Sequence, residues 1–288
     1  MTRDFLTLAE ALGIRKGSIV SVVGGGGKTS TLFRLCREAS RDGHRVLATT
    51  TARMKLEELA GMREILLWDE RDVTGQSWTA CTQGRPGPAE PWIDEALSGT
   101  FRMDGDAVPV TFLGRSVMRD KLIGLPADYL GDLLSRLTWD VVVVEADGSR
   151  GRSIKGHRLG EPVIPLCATH CVIVLGADGL AEPVNDETCH RPEVVQDLLG
   201  LDWGERLTPG GVVDLICHPR GLLAKIPGDM EVVLYVNKAP MGGEHRAEEL
   251  ARELMVRCGR RIRRIAVGDN HQGGTVETHL FENVSPEE

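Results

Sequence analysis

Short unbroken apolar runs alternate along this chain with longer stretches of helical spacing, a pattern that predicts a parallel sheet covered by helices. The runs that read as buried strands are Val20 to Val23, His44 to Ala48, the four valines Val141 to Val144, Cys171 to Leu175, Glu231 to Val236 and Arg263 to Val267. Glu64 to Trp68 adds a further candidate strand. Between them, apolar residues recur every three or four positions over Thr29 to Arg41, Leu125 to Leu137 and Gly243 to Cys258, the spacing of a helix with one buried face. Shorter helices are expected over Phe5 to Leu12, from His190 to Leu199 and over Pro209 to Cys217. Gly13 and Asp42-Gly43 supply stop signals.

The pattern lapses between Asp69 and Gly114. Cys81 to Pro88 reads as loop, and Thr100 to Met103 and Ala107 to Leu113 flank Asp104-Gly105 as a hairpin. This stretch, 69–114, is read as a small insertion in an α/β domain spanning 1–268, with 269–288 as a C-terminal tail.

A chain of 288 residues is long enough for one such domain. Its formal net charge of −8 argues against nucleic acid as the main partner. The run Arg257, Arg260, Arg261, Arg263 and Arg264 is the local exception; it alternates partly with apolar residues, as a solvated strand edge would. The seven cysteines contain no C-x-x-C pair, so reduced thiols are expected. Neither a leader-like start nor a run of eighteen apolar residues occurs, which points to a soluble, cytoplasmic protein without a membrane partner.

Chemistry enters at the end of the first buried strand. Gly24, Gly25, Gly26 and Gly27 are followed by Lys28, Thr29 and Ser30, where a helix begins. Four glycines let backbone amides approach an anion at a helix N-terminus; Lys28 can reach outer phosphates and the Thr29 hydroxyl can ligate magnesium. This reads as a phosphate-binding loop for Mg2+ with ATP or GTP, and gives a fold of P-loop NTPase type. The usual pattern places glycine where Val22 stands; the shortened form resembles the loop of Mur-type ligases.

Other strand ends carry matching groups. Thr49-Thr50-Thr51 ends the second strand, where Thr50 could face the γ-phosphate or simply reflect β-propensity. Glu145 and Asp147 follow the four valines. Glu145 is the hard oxygen ligand that magnesium needs opposite Thr29, and Asp147 could orient water or an acceptor. Glu145-Ala146-Asp147-Gly148 resembles the D-x-x-G step of GTPases, and more closely the corresponding strand end of dethiobiotin synthetase, where the glutamate helps hold the metal. The basic segment Ser149 to Arg158, including Arg152 and Lys155, reads as an anion-handling loop. Asn237-Lys238 resembles the guanine-reading N-K-x-D motif, but Pro240 occupies its acidic position, so these two residues are expected only to border a base. His190 and His218 each follow a cysteine without metal-ligand spacing, so no zinc site is expected.

The glycine loop, the three threonines, Glu145 to Arg152 with Lys155, and Glu161-Pro162-Val163-Ile164-Pro165 occur in that order, and together resemble the YqeC family over roughly Leu12 to Gly268. That resemblance implies an accessory role for selenium-dependent molybdenum hydroxylases, in making or inserting a selenium cofactor, with the hydroxylase or its cofactor-assembly proteins as partners. Two other readings stay open: a small-molecule kinase or ATP-dependent ligase, and a nucleotide-gated binding module that does not turn over. Cys189, flanked by His190 and Arg191 at a helix start, has the neighbours of a low-pKa thiol. Even so, the expectation is that selenium is not carried covalently.

Overall fold

The computed structural model describes residues 3–4, 6–59, 65–68, 78–82, 85–86, 110–136, 138–239, 245–258, 261–270 and 278–282. In its first half the strands are β1 (Arg3–Asp4), β2 (Ile19–Gly24), β3 (Val46–Thr50), β4 (Arg53–Lys55), β5 (Ile65–Trp68), β6 (Trp78–Thr82), β7 (Arg85–Pro86), β8 (Val110–Gly114), β9 (Ser116–Met118), β10 (Lys121–Ile123) and β11 (Val141–Glu145). Its second half adds β12 (Ile154–Lys155), β13 (His170–Gly176), β14 (Cys189–His190), β15 (Glu231–Asn237), β16 (Ile262–Val267) and β17 (Thr278–Glu282). The helices are α1 (Leu8–Ala11), α2 (Lys28–Arg41), α3 (Ala127–Arg136), α4 (Pro192–Leu199), α5 (Pro209–Cys217) and α6 (His245–Cys258).

Among the described residues the main sheet has the order β1-β17-β16-β15-β13-β2-β11-β3-β8-β5-β6-β7. Strands β16 through β5 run parallel, and antiparallel pairing is confined to the two ends. The protein is thus a mixed α/β fold with a mostly parallel sheet and helices on both faces. The four valines of β11 explain the layering. Side chains alternate along a strand, so Val141 and Val143 join the core beneath α1 and α2, while Val142 and Val144 pack with Leu125 and Leu130 beside α3. The α4–α6 layer covers β13, β15 and β16 on that second face. No helix among the described residues is long and apolar enough to cross a membrane.

Several elements differ from expectation. The capping box of Thr7 with Glu10 starts α1 at Leu8, three residues later than its apolar spacing suggested. Val110–Gly114, which overlaps the hairpin arm expected over Ala107 to Leu113, is a parallel strand of the main sheet between β3 and β5. The Asp104-Gly105 turn lies outside the described residues. The stretch read as a tail supplies β17, which covers the edge of β16. The arginine run therefore does not lie on a free edge: Arg257 pairs with Asp214, and Arg261 donates to the carbonyls of Ile226, Pro227 and Met230. The expectation of reduced thiols is also corrected at one pair. The C-terminal residues of α5 and α6, Cys217 and Cys258, lie with their Cα atoms 6.8 Å apart and form a disulfide.

Candidate functional site

The sheet order reverses at β2, with β11, β3 and β8 on one side and β13, β15 and β16 on the other. A crevice outside the strand C-termini at such a reversal is where open α/β sheets bind ligands. The sequence-predicted residues converge there.

The glycine turn joins β2 to α2 with Gly24, Gly26 and Gly27 at φ of +101°, +71° and +107°. Space is as decisive as dihedral angle. A Cβ on Gly26 would stand 2.1 Å from the Gly176 nitrogen, and one on Gly25 would stand 2.7 Å from the Arg152 carbonyl oxygen. The amides of this turn do not all point at one open space, as the sequence suggested. Gly24 N–H donates to both carboxylate oxygens of Asp147 at 3.2 Å, Gly25 N–H to Val174 O at 2.9 Å, and Gly26 N–H to Arg152 O at 2.8 Å. The Asp147 side chain takes the first of these donors, and backbone of β13 and of Arg152 takes the other two. Helix geometry itself leaves the first amides of α2 without intrahelical partners, so the anion-binding end of the helix remains.

Lys28 lies buried at that end. Its Nζ donates to Gly24 O at 2.8 Å and sits 3.4 Å from Asp147 Oδ1. Thr29 Oγ1 donates to Glu145 Oε2 at 2.8 Å, which brings together the two proposed metal ligands from the starts and ends of different elements. Burial pushes the Glu145 carboxyl up to about 7, against the opposing influence of Lys28 and the Thr29 hydroxyl. Ser30, in the same turn, makes no side-chain hydrogen bond to a described residue.

Asp147 is the hub. Lys155 Nζ donates to it at 2.9 Å and His157 Nε2 lies 2.8 Å from the same oxygen. Burial alone would raise its pKa, but Lys28, His157 and Lys155 more than offset that and hold it well below the usual carboxylate range. Lys155 also donates to Gly148 O at 2.8 Å and lies 3.5 Å from Glu161, which a doubly hydrogen-bonded Arg191 grips in turn. Burial lowers the Lys155 and His157 pKa values; Asp147 opposes both shifts.

Other predicted residues have different duties. Thr50 donates its hydroxyl to Glu145 O at 2.8 Å and accepts from Ala52 N–H, so it fixes the end of β11 rather than facing open space. Thr49 and Thr51 likewise donate to backbone carbonyls, of Leu113 and Val163. Arg152 contributes its carbonyl to the loop, while its guanidinium forms no ion pair with a described residue. Asn237 is a clamp: Nδ2 donates to Gly26 O at 2.6 Å and Oδ1 accepts from Asn270 N–H at 3.0 Å. Lys238 donates to Ser153 Oγ and Asp178 Oδ2, both at 2.9 Å. Asn237 is buried, and these bonds tie both residues to the loop and its neighbours. Sequence reading placed His157 in the anion-handling segment and Arg191 beside Cys189, but did not join His157, Glu161 and Arg191 to Asp147 as one cluster. The available signal was the i, i+2 spacing of Lys155 and His157, which in extended backbone sends both side chains to one side.

A carboxylate and a hydroxyl in contact, beside a buried lysine, fit magnesium. That ion prefers hard oxygen ligands and usually takes few from protein, leaving the rest to phosphate and water. No group of three or more His, Cys, Asp or Glu suited to holding a metal by itself occurs among the described residues.

Fold and site together define a mixed α/β protein whose glycine loop, acidic strand end and basic segment meet at the C-terminal edge of a parallel sheet. The chain belongs to the YqeC family: the family profile, described as YqeC protein, matches residues 20–193. Its matched span includes the glycine loop, Glu145, Asp147, Lys155, His157 and Arg191. A relative from Escherichia coli (strain K12), described as uncharacterized protein YqeC, is 28% identical over 226 residues, covering 78% of this chain and 77% of the relative. No solved structure matches the chain significantly.

Proposed function

We propose that this protein binds a magnesium–nucleoside triphosphate, ATP or GTP, at the glycine loop and is a P-loop NTPase. In this reading it uses the nucleotide as an accessory factor in the maturation of selenium-dependent molybdenum hydroxylases. The nucleotide part rests on one observation above all: the Thr29 hydroxyl lies 2.8 Å from Glu145 while Lys28 is buried in the same turn. A hydroxyl ligand, an acidic ligand and a phosphate-reaching cation are the parts that magnesium-dependent phosphate binding requires. Gly24 to Gly27, Lys28, Thr29 and Ser30 would cradle the phosphates, and Thr29 and Glu145 would hold the metal. Arg152, whose side chain has no described ion-pair partner, would meet the charged acceptor or partner. The selenium part rests on family resemblance. Cys189 supports a non-covalent role, since it is buried and burial pushes its pKa up to about 12.

A thermal-shift panel of ATP, GTP and their non-hydrolysable analogues, each with and without magnesium, tests the nucleotide reading. A magnesium-dependent rise in melting temperature with at least one triphosphate is expected. No shift with any of them would contradict it.

A further inference from the structure

We propose that His157 is a catalytic base for this site, oriented by Asp147, and that it deprotonates a water molecule for attack on the terminal phosphate of the bound nucleotide. The inference rests on the nucleotide reading above and adds the nucleophile and its base. Both carboxylate oxygens of Asp147 already accept hydrogen bonds, from Gly24 N–H and from Lys155 Nζ, so the carboxylate meets the ring as an acceptor. His157 Nε2, 2.8 Å from Asp147 Oδ2, must therefore carry the ring proton. That leaves Nδ1 as the basic nitrogen, and it makes no hydrogen bond to any described residue. An acid holding a histidine in one tautomer, with the other nitrogen free, is the arrangement that activates a nucleophile in hydrolases.

His157 also lines a cavity. A space of about 30 Å3 is lined by Gly24, Lys155 and His157 on its polar side and by Leu215, Ile216 and Leu222 on its apolar side. That is room for one or two waters. Gly24 belongs to both places at once: its amide holds Asp147, its carbonyl holds Lys28, and its backbone walls the cavity. A water there is next to the turn that would carry the phosphates. Lys225 donates to the His157 carbonyl and fixes the backbone behind the ring.

In the step itself, His157 Nδ1 takes a proton from water as the water oxygen bonds to the γ-phosphorus. The bond from that phosphorus to the β–γ bridging oxygen breaks, and its electron pair leaves with the nucleoside diphosphate. His157 then returns its proton to solvent. The charged groups facing the ring are Asp147, Lys155 and Lys225. Burial, the largest influence, lowers the His157 pKa from its ordinary 6.5, so the ring is neutral and able to accept a proton at pH 7.

Phosphate release by the full chain with Mg-ATP and Mg-GTP tests the assignment, using His157→Gln, whose amide can still donate to Asp147. Expected is a loss of roughly 100-fold or more in phosphate release with an unchanged nucleotide-induced thermal shift. With magnesium saturating, so that Glu145 stays ionised, the wild-type rate should also fall as acid titrates His157, below pH 6.5, and the variant should lack that limb. Turnover by His157→Gln within a few-fold of wild type would reduce His157 to a structural prop and overturn the proposal. A wild-type rate without the acid limb would do the same, even if the variant does not fold. Nucleotide binding by the wild type without phosphate release overturns the base alone, whereas no nucleotide binding removes the nucleotide reading itself.

Discussion

Asp147 is buried among Lys28, Lys155 and His157, and its loss should be felt in the fold as well as the site. Asp147→Asn keeps the shape but leaves two buried ammonium groups facing an amide, a change of the kind that costs about 3–5 kcal/mol. The sign of the pH dependence follows from the depressed carboxyl. Its contribution is present above the unfolded carboxyl pKa near 3.8 and is lost as pH falls through the lower folded value. Chemical denaturation of wild type and Asp147→Asn between pH 3 and 7 should show a gap that narrows in acid. Glu145 behaves oppositely. Its folded pKa is raised to about 7, so its contribution is complete below 4.5 and is lost as pH rises through 7. Subtracting melting curves of Glu145→Gln from wild type should isolate a decline between pH 5 and 8, and magnesium with nucleotide should reduce it. A third residue is quiet by the same physics: Cys189, buried and with a raised pKa, should be alkylated slowly at neutral pH in the folded protein, as peptide mapping by mass spectrometry would read.

At the scale of elements, the strands that carry the site were legible because they are unbroken apolar runs ending in chemistry, as Val141 to Glu145 does. What was not legible depends on distant pairing. Asp104-Gly105 suggested a local hairpin, yet Val110–Gly114 takes its place between β3 and β5 through parallel contacts that no short-range signal records. Asn237 and Lys238 were expected only to border a base; the bond from Asn237 to Gly26 spans 211 residues and becomes visible only when β15 and the loop meet. The glycine turn gives a prediction at this scale. Gly26 and Gly43 both have positive φ, but an added Cβ meets the Gly176 nitrogen at the first and open space at the second. Gly43→Ala should cost about 1–2 kcal/mol, the left-handed penalty alone. Gly26→Ala should cost more and abolish any nucleotide-induced stabilisation. Equal effects on stability and ligand response would show that packing against β13 does not shape the loop.

Over the whole molecule, the parallel sheet brings groups from Gly24 to Arg191 to one crevice, while α5 and α6, tied by Cys217 and Cys258, cover the far end of the same face. The matched family span, 20–193, includes the glycine loop and the cluster around Asp147 and stops short of those two helices. Residue types and order along the chain were enough to point to the crevice. They were not enough to show which polar groups face one another, since Asp147, Val174 O and Arg152 O take up loop amides that looked available. The central claim is that the loop holds a magnesium–nucleoside triphosphate through Lys28. Titration calorimetry of Mg-ATP and Mg-GTP into wild type and Lys28→Ala tests it most directly. The account predicts saturable binding of at least one of them to wild type, and its loss in a variant that still melts cooperatively. Equal affinity in the two proteins would contradict it.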